Sequence, residues 1–170
     1  ARALIELGRT REAADALAAM HTRGVTDTDA RLVELSLRLQ LAKGDFAEAR
    51  RLAARGPEAA GIGPGLRLAG VQAAIRGHDL PLAKTWLAAR SAEGEPSSTN
   101  ADFSIELSRA LIARAGGDQA GALALAEKAT GKLGDRPSPD ATIQAGVMQA
   151  LTLLDARNST AASALMGELE

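Results

Sequence analysis

Apolar residues along this chain recur at the spacing of a helix. Phe46, Ala49 and Ala53 stand at i, i+3 and i+7; Phe103, Leu107 and Leu111 at i, i+4 and i+8. Leu123, Ala126 and Ala129 make a further stripe, as do Ile143, Val147, Leu151 and Leu154, followed by Ala162, Leu165 and Met166. Positions three and four apart share one face of a helix, and such a face seeks an apolar partner. With caps and breakers, the pattern predicts helices over 10–22, 29–43, 45–55, 65–76 and 80–90, then two more helical pairs on either side of Gly117 and Asn158. The run Thr26-Asp27-Thr28-Asp29 supplies a helix start, and Pro81 falls in a first turn, where its missing N–H costs nothing.

Between the paired helices a short element returns five times. It reads Gly8-Arg9-Thr10 running to Ala13, Gly44-Asp45-Phe46 to Ala49, Gly77-His78-Asp79 to Ala83, Gly117-Asp118-Gln119 to Ala122, and Asn158-Ser159-Thr160 to Ala162. The five alanines are 36, 34, 39 and 40 residues apart. A period in that range is the signature of stacked helix-turn-helix units. The expectation is an all-α alpha-alpha superhelix of about five antiparallel hairpins, at 1–24, 29–56, 63–91, 100–131 and 139–170, forming one array over 1–170. Loops are expected at 56–65, 91–100 and 131–140, which are rich in Gly, Pro and polar residues. In the last turn Asn158 is expected to replace the glycine. Both ends read as cut, with about two helical turns before Gly8 and no cap after Glu170, so the segment is expected to belong to a longer array.

These residues resemble the tetratricopeptide repeat (TPR) family over nearly the whole chain. The best match is Gly44-Asp45-Phe46-Ala47-Glu48-Ala49, and Gly117-Asp118 with Ala122 repeats it. The chain departs from the family where its Leu-Gly and Tyr positions are occupied by Ser36-Leu37 and Gln40, and in its longer spacing and displaced prolines. Another alpha-alpha solenoid is the structural rival. The resemblance implies a right-handed superhelix whose first helices line a concave groove for a peptide or protein. On that reading the partner-binding candidates are Arg31, Glu34 and Arg38, one stripe of a first helix, with Arg67, Leu107, Arg114, Gln144 and Val147 from neighbouring repeats. The plain alternative for the charged stripe is a solvated face with i, i+3 and i+4 pairing, worth tenths of a kcal/mol.

Composition narrows the function classes. The chain carries 20 basic and 21 acidic residues, a net charge of −1, so no global field favours nucleic acid or anionic lipid. Three aromatic residues and abundant alanine suit closely packed helices and would serve strands poorly. There is no cysteine, hence neither disulfide nor thiolate metal site, and no apolar run approaches the ~20 residues that span a bilayer. His21 and His78 lack a second ligand at metal spacing. Gly61-Ile62-Gly63-Pro64-Gly65 lacks a preceding strand, and Gly131-Lys132 is followed by Leu133 in place of Ser or Thr, so neither phosphate-loop fingerprint holds. No Gly-x-Ser-x-Gly elbow occurs, and Trp86 reads as core.

The expectation is therefore a non-catalytic interaction scaffold without cofactor or metal, binding a protein or peptide, with self-association through the repeat ends as a further possibility. The Ala, Arg, Gly and Leu bias fits a bacterial coding background, in an export, secretion or pilus assembly of the periplasm or cytoplasm. A helical sensor or oligomerisation region of a transcription regulator is the alternative.

Overall fold

A chain can leave one helix and enter the next within three residues when one residue takes the left-handed conformation and the following one caps the new helix. All five turns are built that way. The computed structural model describes residues 1–25, 28–56, 62–89, 99–133 and 139–167, and every regular element among them is a helix. In chain order these are α1 (Arg2–Glu6), α2 (Thr10–Thr22), α3 (Ala30–Lys43), α4 (Phe46–Ala53), α5 (Pro64–Arg76), α6 (Leu80–Ala88), α7 (Thr99–Ala115), α8 (Gln119–Thr130), α9 (Pro139–Asp155) and α10 (Ser159–Gly167). Contacts divide the chain into two compact units, Ala1–Glu95 and Pro96–Glu170. The boundary falls in the predicted 91–100 loop, of which 91–98 lies outside the described residues, as do 57–61 of the predicted 56–65 loop and 134–138 of the predicted 131–140 loop.

The left-handed residues of these five turns are Gly8, Gly44, His78, Gly117 and Arg157, with φ of 71, 74, 57, 86 and 60°. Each is followed by the N-cap of the next helix: Arg9, Asp45, Asp79, Asp118 and Asn158. The cap N–H reaches back to the carbonyl five residues earlier, from Arg9 to Leu4 at 2.8 Å, Asp45 to Gln40 at 3.0 Å, Asp79 to Ala74 at 2.8 Å, Asp118 to Ala113 at 3.0 Å and Asn158 to Leu153 at 2.8 Å. In four of the turns the cap side chain also accepts a backbone N–H three residues ahead, those of Glu48, Leu82, Gly121 and Ala161. Four residues after each cap comes the repeated alanine, and Ala13, Ala49, Ala83, Ala122 and Ala162 are all buried. The repeat seen in the sequence is thus a repeat of backbone geometry.

Two turns differ from expectation. Gly77 is not the left-handed residue; its φ is −84° and the strained position passes to His78. Glycine is needed at 77 for space, since a Cβ there would lie 2.6 Å from the Cβ of Arg50 in α4. In the last turn Asn158 occupies the capping position and Arg157 takes the left-handed one. A left-handed residue with a side chain costs roughly 1–2 kcal/mol, partly offset by the greater unfolded-state entropy of glycine. His78→Gly and Arg157→Gly should each stabilise by about 0.5–1 kcal/mol in chemical denaturation; an unchanged or lowered midpoint would contradict the turn geometry.

In the first unit, α1, α2 and α3 enclose a cluster of Ala13, Leu17, Leu32, Leu35 and Leu39, with Leu4, Ile5, Met20 and Val25 around it. Leu37, elsewhere on α3, is buried too. Leucines therefore recur at every second position from 35 to 41 in a helix, because α3 is packed by α2 on one side and by α4 and α5 on others. Trp86 of α6 is fully buried and donates its indole N–H to the Ala53 carbonyl at the end of α4, 3.0 Å away. Phe46, expected beside Ala49 and Ala53, is instead at the edge, with the Arg76 guanidinium 5.5 Å from its ring centre.

In the second unit, α7 packs on α8 and α9, and α9 on α10. The buried residues of α9 are mostly small, Ala141, Ala145, Gly146 and Ala150, together with Met148 and Thr152, whose hydroxyl donates to the Met148 carbonyl at 2.8 Å. The larger stripe of Ile143, Leu151 and Leu154 faces solvent, which inverts the expected orientation of this helix. Glu106 of α7, almost buried, pairs with Lys128 of α8 at 2.9 Å and with Arg109 at 3.0 Å. Burial pushes its carboxyl up, but the hydrogen bond from Lys128 and the charge of Arg109 outweigh burial and hold it below its ordinary value. A carboxyl lowered by folding adds stability that is complete above the ordinary value of 4.5 and is lost as pH falls through the folded value. The urea midpoint of this unit should therefore fall below that pH, and Glu106→Gln should flatten the acid limb. An identical limb in the variant would remove Glu106 from the account.

Candidate functional site

The polar residues of α3 lie on two opposite faces. At 100° per residue, Arg31, Glu34 and Arg38 cluster on one side, and Ser36 and Gln40, beside the apolar Val33, on the other. On the first face Arg38 Nε donates to Glu34 Oε1 at 2.9 Å, both side chains being largely covered, while Arg31 is exposed. The Glu34 carboxylate lies against Gly65, where a Cβ would come within 2.7 Å of Oε1. That places the charge beside the first turn of α5, where a helix dipole favours an anion. The i, i+4 pairing is the arrangement expected of a charged helix face.

The second face opens into a pocket of about 510 Å³ in the first unit. Its floor is α3, through Leu32, Val33, Ser36 and Gln40; one wall is α4, through Glu48, Arg51, Leu52 and Arg55; His21 at the end of α2 and Thr28 close the far side. The wall is held in shape by two charge-assisted hydrogen bonds from Arg51 to Glu48, at 2.6 and 2.5 Å. Those bonds, foremost, and the charges of Arg51 and Arg55 hold the Glu48 carboxyl below its ordinary range, and the same pairing raises Arg51. One carboxylate thus answers two guanidinium groups, so the wall carries a net positive charge beside apolar Leu32, Val33 and Leu52. A mixed lining of this kind offers apolar contact along its length and a hydrogen-bonding cation at one point.

The remaining expected contacts are dispersed. Arg67 of α5 is buried, and its Nη2 donates to the Ala89 carbonyl at 3.0 Å, which closes the end of α6. Arg114 of α7 binds Asp155 of α9 through Nε and Nη2 at 2.6 and 3.3 Å. Leu107 is buried in the second unit, and Gln144 and Val147 are half-buried on α9. Arg31, Glu34, Arg38 and Arg67 belong to the first unit, and Leu107, Arg114, Gln144 and Val147 to the second.

The pocket residues escaped the sequence reading, although a signal was there. Ser36 and Gln40 are polar positions in an otherwise leucine-rich stretch of α3, and both line the opening. Among the described residues no group of three or more His, Asp or Glu is placed to hold a metal ion, and no helix is long and apolar enough to cross a membrane. No family model, no curated protein and no solved structure matches the chain.

Proposed function

We propose that the protein is a non-catalytic scaffold, a member of a larger assembly, that holds a peptide segment of a partner in the pocket between α2 and α4. The observation that supports this is the pocket itself, with its apolar floor and the net positive charge of Arg51 and Arg55 set against Glu48. The segment recognised carries one or two apolar side chains, seated over Leu32, Val33 and Leu52, and a carboxylate that meets Arg55. The TPR-like turn supports the scaffold reading only at the level of architecture, since a fold does not fix a function.

Filling the pocket separates this reading from others. Ser36→Leu with Gln40→Tyr places apolar volume on the floor without touching the buried face of α3. The double variant should gain about 1 kcal/mol of stability from apolar area removed from water. It should also lose binding to peptides selected from a displayed random library on the wild-type protein. Peptides that bind both proteins equally would place the binding surface elsewhere.

A further inference from the structure

The helix that walls the pocket has two opposed faces. At 100° per residue Glu48, Arg51, Leu52 and Arg55 turn toward the pocket, and Ala49, Arg50 and Ala53 turn away from it. With 8 residues α4 is too short to hold itself as a helix in water, so its position is set by what packs against it.

On the side away from the pocket, α6 holds it at two points. Arg50 lies over Gly77 and pairs with Asp79, the N-cap of α6, at 3.7 Å. Further along α6, the buried indole of Trp86 donates its N–H to the Ala53 carbonyl at 3.0 Å. The same oxygen accepts the Gly56 N–H at 3.1 Å, the bond that closes the turn carrying Arg55. Gly56 itself lines the pocket, and a Cβ on it would stand 2.5 Å from the indole ring. One side chain thus touches the residues before and after Arg55 that fix the course of the turn.

Arg55 depends on that turn more than its neighbour does. Arg51 is committed to Glu48 by two hydrogen bonds, whereas Arg55 meets Glu48 only through its charge. A guanidinium that is not tied at its own end is located by its backbone. We infer that Trp86 is a positioning residue for the pocket: from behind α4 its indole fixes the turn at Ala53 and Gly56, and so presents Arg55 to the carboxylate of a bound peptide. This rests on the pocket being the peptide site. Holding the cation in place before binding spares the complex the cost of ordering it.

A double-mutant cycle on the full chain tests the assignment, with a peptide selected on the wild type from a displayed library as the probe. Trp86→Phe should weaken binding at least about fivefold in the wild-type background and less than about twofold in the Arg55→Gln background, because a residue that acts through Arg55 has nothing to position once Arg55 is gone. A merely structural role would cost the same factor in both. Amide exchange of the peptide-free chain should quicken at Arg55 and Gly56 in Trp86→Phe. Should that variant fold poorly, benzothienylalanine at position 86, which keeps the fused rings and lacks the N–H, takes its place in the cycle. A peptide that binds the Ser36→Leu, Gln40→Tyr chain as well as the wild type overturns the pocket reading and this inference with it. A peptide that needs the open floor, yet binds Trp86→Phe unchanged or loses the same factor with and without Arg55, overturns this inference alone, as does unchanged exchange at both amides.

Discussion

Replacing Trp86 by alanine should destabilise the first unit by about 3–5 kcal/mol, the range for removing a buried aromatic side chain and leaving a cavity. Trp86 is fully buried, and its ring fills the space that two glycines leave open. A Cβ at Gly56 would lie 2.5 Å from the ring, and one at Gly70 of α5 would lie inside its van der Waals envelope. The substitution also strands the Ala53 carbonyl that accepts the indole N–H. Hydrogen exchange of the full chain should show lost protection in α4, α5 and α6, with α7 to α10 unchanged. Gly70→Ala should act on the same contact from the opposite side, at about 1–3 kcal/mol through overpacking against a rigid ring. If Trp86→Ala costs less than 1 kcal/mol, the indole is not the centre of this unit.

The second large effect concerns the repeated alanines. Ala49→Leu or Ala122→Leu adds three carbons at a fully buried position on the second helix of a hairpin, and should destabilise by about 1–3 kcal/mol in chemical denaturation. Ala18 and Ala54, both exposed, serve as controls and should accept leucine within ~0.5 kcal/mol. Equal midpoints for buried and exposed sites would mean that the hairpin contact does not depend on a small residue.

The turns were the legible part of the fold. A Gly-Asp pair with alanine four residues after the aspartate fixes backbone conformation, cap and close contact together, so the hairpins at Gly44 and Gly117 could be read directly. His78 and Arg157 were hidden because neither residue favours the conformation it adopts; only alignment with the other turns shows it. Helix orientation was harder to read. On α9 Ile143, Leu151 and Leu154 face out, since the inward side meets α7, α8 and α10 so closely that Ala141, Ala145 and Ala150 with the single Met148 suffice. Arg67 is a buried residue of a type that favours the surface, and its acceptor lies 22 positions away. The pocket was least legible, because it is a space between α2 and α4 and depends on helix placement that no local pattern encodes.

The pocket and the opposite face of α3 can be distinguished by titration of one peptide, selected on the wild-type chain, against two charge-reversed proteins. Arg55→Glu alters the wall of the pocket, and Arg31→Glu with Arg38→Glu alters the far face, helicity being checked for both. The pocket account predicts that Arg55→Glu weakens binding at least about tenfold, or ~1.4 kcal/mol, while the double variant stays within about twofold of the wild type. Loss of binding in the double variant with Arg55→Glu unaffected would contradict it and assign recognition to the Arg31, Glu34 and Arg38 face.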